Sequence, residues 1–144
     1  MNKLGCLIVH ASGNHGFQKN VDRDAFDRDD SVLRVEASNW AGARSSMSSA
    51  AELMAPGEGV FILGTSAEVE SAKQRFGYET QSCALVPQGL FSDGTSLAAP
   101  VVSGIAAQVI GITKKFGLWA ALDSSEKIKL VNRVLDQSTL GGEV

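Results

Sequence analysis

Ser96 lies in the run FSDGTSLAAPVVSG, Phe91 to Gly104, where Gly94-Thr95 gives way to a long stretch of small and apolar residues. A serine at the mouth of a helix sits among backbone N–H groups that have no partner within the helix, at the positive end of its dipole. Such groups stabilise a developing oxyanion, so the place suits the nucleophile of an acyl-transfer reaction. A serine here is also an ordinary helix cap, and G-T-S alone does not separate the two roles. The longer string narrows the choice. Gly94 gives a sharp approach, Thr95 and the residues after Ser96 keep the first turn small, Pro100 fixes the helix start, and Gly104 allows close packing.

Asn14 lies in a second string, LIVHASGNHG, Leu7 to Gly16, in which the G-N pair by itself marks a turn. A serine hydroxyl also needs a general base within hydrogen-bond reach. The sequence has two histidines. His10 is expected in the middle of a strand, and His15 directly follows Asn14 at the rim of the same turn. Neither is expected to serve as the base, and no lysine has a motif that recommends it.

The elements that must carry these residues are partly legible. Leu4 to Val9 is a short apolar run that predicts a buried strand ending in the ASGNHG turn, with Cys6 a small buried hydrophobe. Asp22 to Asp30, DRDAFDRDD, reads as a solvated loop or short exposed helix; its spacing lacks a calcium-loop pattern. Ser31 to Ser38 predicts a strand. AELMAPGEGVFIL predicts a short strand, a Pro56-Gly57 turn and a second strand over Val60 to Leu63. SAEVESAKQRFG fits a short amphipathic helix, and Pro87 to Gly89 a loop. From Ser96 to Phe116 small and apolar residues continue around every helical face, which predicts a helix buried on all sides. Asp123 and Glu126 have capping-box spacing, and Ile128, Val131 and Leu135 share one face of a terminal amphipathic helix that frays at Gly141-Gly142. Strands interleaved with helices indicate an α/β fold.

The 144 residues suffice for one domain with a core, and 44% hydrophobic with 20% charged residues excludes a disordered chain. A net charge of −3 with no basic stripe argues against a nucleic-acid partner. The uncharged run Gly94 to Thr113 holds Pro100, Gln108, two serines and many Gly and Ala residues, so a soluble helix is expected there, with no membrane partner. The N-terminal apolar run is too short for a signal peptide, and the compartment stays open. Whether Cys6 pairs with Cys83 is not fixed by sequence.

Gly94 to Gly104 resembles the nucleophile motif of the subtilisin-like serine proteases, the subtilases. The resemblance makes Ser96 the attacking serine. LIVHASGNHG resembles the family's strand ending in A-A-G-N, which makes Asn14 the oxyanion-hole donor, with the Ser96 backbone N–H as the second. Ala11 and Gly13 match positions that line the first specificity pocket, and His15 rims the substrate site. ELMAPGEGV resembles the family's A-P-G turn between strands. The resemblance covers nearly the whole of residues 1–144 and implies the C-terminal half of a catalytic domain. That half belongs to a three-layer α/β fold with a mostly parallel sheet flanked by helices. Residues 66–91 exceed what the family needs and imply an inserted loop near the nucleophile.

In that family an aspartate and a histidine upstream of the asparagine strand complete the triad, in D-T/S-G and H-G-T-H motifs. Neither motif occurs here. Without its base a triad enzyme keeps only about 10³–10⁴-fold over water. The chain alone is therefore expected to be nearly inactive, and to depend on the missing half or to self-associate across a cut sheet edge. Its substrate is expected to be a peptide or protein, cleaved through an acyl-enzyme. The alternative is a non-catalytic binding module on the same scaffold. No cofactor or metal is expected; calcium commonly braces the family, but no ligands are identifiable.

Overall fold

The computed structural model describes residues 6–16, 32–76, 80–83 and 86–138. Three parallel strands run in the order β1 (Ile8–Ala11), β2 (Val32–Ser38), β3 (Leu53–Pro56). β1 pairs with β2 from Ile8 opposite Val32 to Ala11 opposite Val35, and β2 with β3 from Val35 opposite Leu53 to Ser38 opposite Pro56. The first strand thus lies further along the chain than the apolar run Leu4–Val9 suggests, because its register is set by pairing with β2 and not by hydropathy. Cys6 precedes it and is exposed, which corrects the expectation of a buried cysteine. DRDAFDRDD lies outside the described residues.

β2 is the centre of the sheet and the most buried strand, with Val35 and Ala37 fully inaccessible. Its alternation sorts two faces. Leu33, Val35 and Ala37 join Leu53 and Ala55 of β3 in the hydrophobic core, while Arg34 and Glu36 pair with Glu52 and Arg44.

A second sheet is antiparallel, with β4 (Val60–Leu63), β5 (Thr80–Cys83) and β6 (Val86–Ser92) in the order β4-β6-β5. Helix α1 (Ser66–Phe76) connects β4 towards β5. Thr65 and Glu68 cap it reciprocally: the Thr65 N–H donates to Glu68 Oε2 at 2.8 Å and the Glu68 N–H to Thr65 Oγ1 at 3.3 Å. The segment 66–91 therefore carries a helix and two strands. The expected loop at Pro87–Gly89 is replaced by β6, in which Gly89 gives room to a neighbour. A Cβ there would come within 2.3 Å of the Phe61 ring, which instead crosses the strand to meet Phe91, with ring centroids 5.3 Å apart.

Helix α2 (Thr95–Lys115) lies across the parallel sheet and buries Ala98, Ala99, Val102 and Ala106 against it. These small side chains let the helix approach closely. The opposite face is not covered by described residues: Val101, Ile105 and Ile112, at helical spacing, are exposed. The expectation of a helix buried on all sides is corrected to one buried face and one apolar open face. By length and composition α2 could cross a membrane, but here it packs along the sheet. Gly104 is exposed, with nothing within 4 Å of where a Cβ would stand, so it does not serve close packing among the described residues. Pro100 falls in the second turn, past the N-terminal positions where a missing N–H is free of cost, and deprives the Ser96 carbonyl of its helical donor.

After a short helix α3 (Leu118–Ala121), α4 (Ser124–Ser138) returns to the core through Val131 and Leu135. Its capping box forms as the sequence predicts: the Asp123 N–H donates to Glu126 Oε2 and the Glu126 N–H to Asp123 Oδ1, both at 2.8 Å.

Candidate active site

The C-terminal ends of parallel strands are where α/β sheets place ligands. β1 ends at Ala11, and the chain turns through Gly13, at φ +102°, to Asn14. A left-handed φ of this size favours glycine. The turn is tied down on one side by the loop after β2. The Ser49 N–H donates to the Gly13 carbonyl at 2.9 Å, the Gly16 N–H to the Met47 carbonyl at 2.7 Å, and the Ser12 hydroxyl to the Ser49 carbonyl at 2.6 Å.

On the other side the turn is tied to the start of α2. The Thr95 N–H donates to Asn14 Oδ1 at 2.9 Å, the Thr95 hydroxyl to the same oxygen at 3.0 Å, and the Gly13 N–H to Thr95 Oγ1 at 3.1 Å. A backbone N–H can be met only by the carbonyl end of an amide. The bond from Thr95 therefore fixes which way the Asn14 amide faces and leaves its Nδ2 as the outward donor.

Gly94 separates that donor from the serine. The point one bond above its Cα lies 3.0 Å from Ser96 Oγ, 3.6 Å from Asn14 Nδ2 and 3.8 Å from the Ser96 N. A hydroxyl and two N–H donors thus surround one small space that any side chain at position 94 would occupy. Gly94 and Thr95 are buried, while Ser96 and Asn14 are exposed, so the support is internal and both of the latter reach solvent.

The A-P-G turn has a role that its sequence does not advertise. Gly57, just after β3, accepts the Gly94 N–H at 2.7 Å and donates to the Ser38 carbonyl at 3.0 Å. A Cβ on Gly57 would sit 2.7 Å from Ala37 Cβ and 2.8 Å from the Gly94 carbonyl. The glycine therefore lets β2, β3 and the approach to Ser96 close on one another. Thr95 and Gly57 are the site residues that a motif reading undervalues; the signal for each is proximity, which only the fold supplies.

Gly13 is half-buried and bonded to Thr95, Ala11 is half-buried at the end of β1 and packs against the core, and His15 is exposed on the same turn as Asn14. Among the described residues the Ser96 hydroxyl makes no hydrogen bond, and no group of three or more His, Cys, Asp or Glu residues is placed to hold a metal.

The family model for the subtilases matches residues 1–131. The chain belongs to the subtilase family. No curated protein matches this subtilase. Among solved structures it is similar to the prenylagaramide maturation protease PagA, at TM-score 0.57 and 22% identity over 89% of this chain and 38% of that one. It is also similar to the self-cleaved protease domain of PatA, at TM-score 0.53 and 22% identity over 85% of this chain and 38% of that one. These likenesses carry the fold, and the subtilase chain described here spans under two fifths of either neighbour's length.

Proposed function

We propose that Ser96 is the nucleophile and Asn14 the side-chain oxyanion donor of a serine endopeptidase. The observation that carries this reading is the space above Gly94, where Ser96 Oγ, Asn14 Nδ2 and the Ser96 N–H converge. In the proposed reaction Ser96 Oγ adds to the carbonyl carbon of a peptide bond. The carbonyl oxygen takes up the electron pair and is met by the Asn14 amide and the Ser96 N–H. A base takes the hydroxyl proton and returns it to the departing amine, leaving an ester on Ser96 that water hydrolyses. Ala11 and Gly13 wall the pocket for the residue on the acyl side, with His15 at its rim.

The base and its orienting carboxylate come, in this reading, from a segment that carries the aspartate and histidine motifs. Two features support such a partner. β1 has no strand on its outer side among the described residues, and α2 presents the apolar line Val101, Ile105 and Ile112 to solvent. An open strand edge and an apolar helix face next to each other are what a further strand and helix would cover. Alone, the chain is nearly inactive.

Co-expression with the aspartate- and histidine-bearing half of a subtilase tests the proposal. Hydrolysis of an unstructured protein such as casein should appear in the pair, vanish in Ser96→Ala, and fall about 10²–10³-fold in Asn14→Ala. A stable assembled pair in which Ser96→Ala changes nothing would leave the chain a binding module.

A further inference from the structure

Trp40 is 93% exposed, on a turn that leaves β2 at the same end of the sheet as Ser96 and Asn14. A bare indole is an unusual surface feature, since aromatic side chains of this size are normally mostly buried. Its turn is also closely built. Asn39 Oδ1 accepts from the Ala41 and Ala43 N–H groups, both at 3.0 Å, while the Asn39 N–H donates to the Ala43 carbonyl at 2.8 Å. Gly42, at φ +81°, supplies the left-handed residue that closes the turn. Arg44 at its far end pairs with the buried Glu36 at 2.6 Å and bridges back to Ser38.

The hydrogen bonds on either side of this turn lead to the two halves of the site. On the incoming side, the Ser38 carbonyl accepts from Gly57 and Glu58, and the Gly57 carbonyl accepts from Gly94. On the outgoing side, Met47 and Ser49 are bound to the Gly13–Gly16 turn that carries Asn14. The backbone that carries Trp40 is thus fixed in a turn bracketed by the approach to Ser96 and the loop of Asn14. An aromatic side chain with two torsions on a preformed turn loses little entropy on contact, which is why such residues dominate recognition surfaces.

We infer that Trp40 is a specificity-determining residue that packs against one large apolar or aromatic side chain of the peptide substrate. The inference rests on the protease reading above. The scaffold supplies the position, and the indole supplies a flat apolar surface that a glycine or a charged side chain in the substrate would leave unpaired.

The test uses the chain assembled with the aspartate- and histidine-bearing segment. Its substrates are quenched-fluorescence peptides in which a single Phe moves through three positions on each side of the scissile bond in an otherwise Gly/Ser/Ala background. At one position Phe should raise kcat/KM about 10-fold over the all-small peptide. Trp40→Ala should lose that preference and Trp40→Phe should retain part of it. Labelling of Ser96 by a fluorophosphonate, measured in the same preparations, separates the two claims. If wild type does not label, the protease reading fails. If all variants label and Trp40→Ala keeps the wild-type preference at every position, the assignment of Trp40 is wrong.

Discussion

Thr95 and Asn14 hold each other through two bonds to one oxygen, the Thr95 N–H at 2.9 Å and the Thr95 hydroxyl at 3.0 Å from Asn14 Oδ1. The residue before the serine thereby orients the amide that faces the serine. The proposed nucleophile and the proposed oxyanion donor are thereby tied through Thr95, which also accepts from the Gly13 N–H 82 positions away.

Removing the Thr95 hydroxyl should loosen that unit. Thr95→Val keeps the shape and the backbone bond but leaves the Gly13 N–H without its acceptor, at a cost of about 1–3 kcal/mol. In the assembled enzyme kcat should fall by about 10-fold with KM little changed, because the orientation matters most once charge develops. Thr95→Ser, which restores the hydroxyl, should recover most of the rate. Equal activity in all three proteins would remove Thr95 from the account.

Gly57 should be the most sensitive position outside the motif itself. Its missing Cβ lets Ala37, Ala98 and the Gly94 carbonyl come together, and two of those atoms would be nearer than 3.0 Å to an added carbon. Gly57→Ala should destabilise the chain by about 1–3 kcal/mol in denaturant unfolding. It should also slow labelling of Ser96 under conditions where the protein is still folded. A variant as stable and as reactive as wild type would mean that the turn does not brace the approach to Ser96.

The chemistry-bearing residues were more legible than the architecture around them. G-T-S-L-A-A-P and the S-G-N turn are local strings whose resemblance to subtilase motifs agrees with the family match, and the structure brings Ser96 and Asn14 close together. The capping box at Asp123 and Glu126 was equally readable, being a contact across three residues. What failed were inferences that needed long-range knowledge. Small apolar residues all round α2 implied burial on every side, yet the face that carries Val101, Ile105 and Ile112 is exposed. Pro87 and Gly89 suggested a loop, but pairing with β4 and β5 makes that segment a strand, and Phe61 fills the space over the glycine. Cys6 looked buried from its apolar neighbours, but the strand starts two residues later and leaves it exposed.

The open face of α2 gives a separate prediction. Ile105 is exposed and away from the sheet, so Ile105→Asp should change the stability of the chain alone by no more than about 0.5 kcal/mol. Assembly with the aspartate- and histidine-bearing segment should weaken at least about 10-fold, since a charge would be buried without a partner. Unchanged assembly would place the docking surface elsewhere.

Acid should loosen the start of α1 through Glu68. The Thr65 N–H and hydroxyl both donate to the Glu68 carboxylate, and these bonds hold its pKa below the ordinary value. A depressed carboxylate contributes stability above its unfolded pKa and loses it as pH falls through the folded one. Amide protection in α1 should therefore drop as pH falls below the usual carboxylate range and recover on neutralisation. In Glu68→Gln this dependence should flatten, and a wild-type-like acid response in that variant would assign the effect to another group.

The measurement that tests the central claim most directly is covalent labelling of Ser96 by a fluorophosphonate, located by peptide mass spectrometry. With the aspartate- and histidine-bearing segment present, Ser96 should be labelled rapidly. In its absence labelling should be slower by about three orders of magnitude or more, the loss expected without a base. Asn14→Ala should slow the labelled reaction without moving it to another residue. A correctly assembled protein in which Ser96 stays unlabelled would contradict the assignment of this serine as a nucleophile.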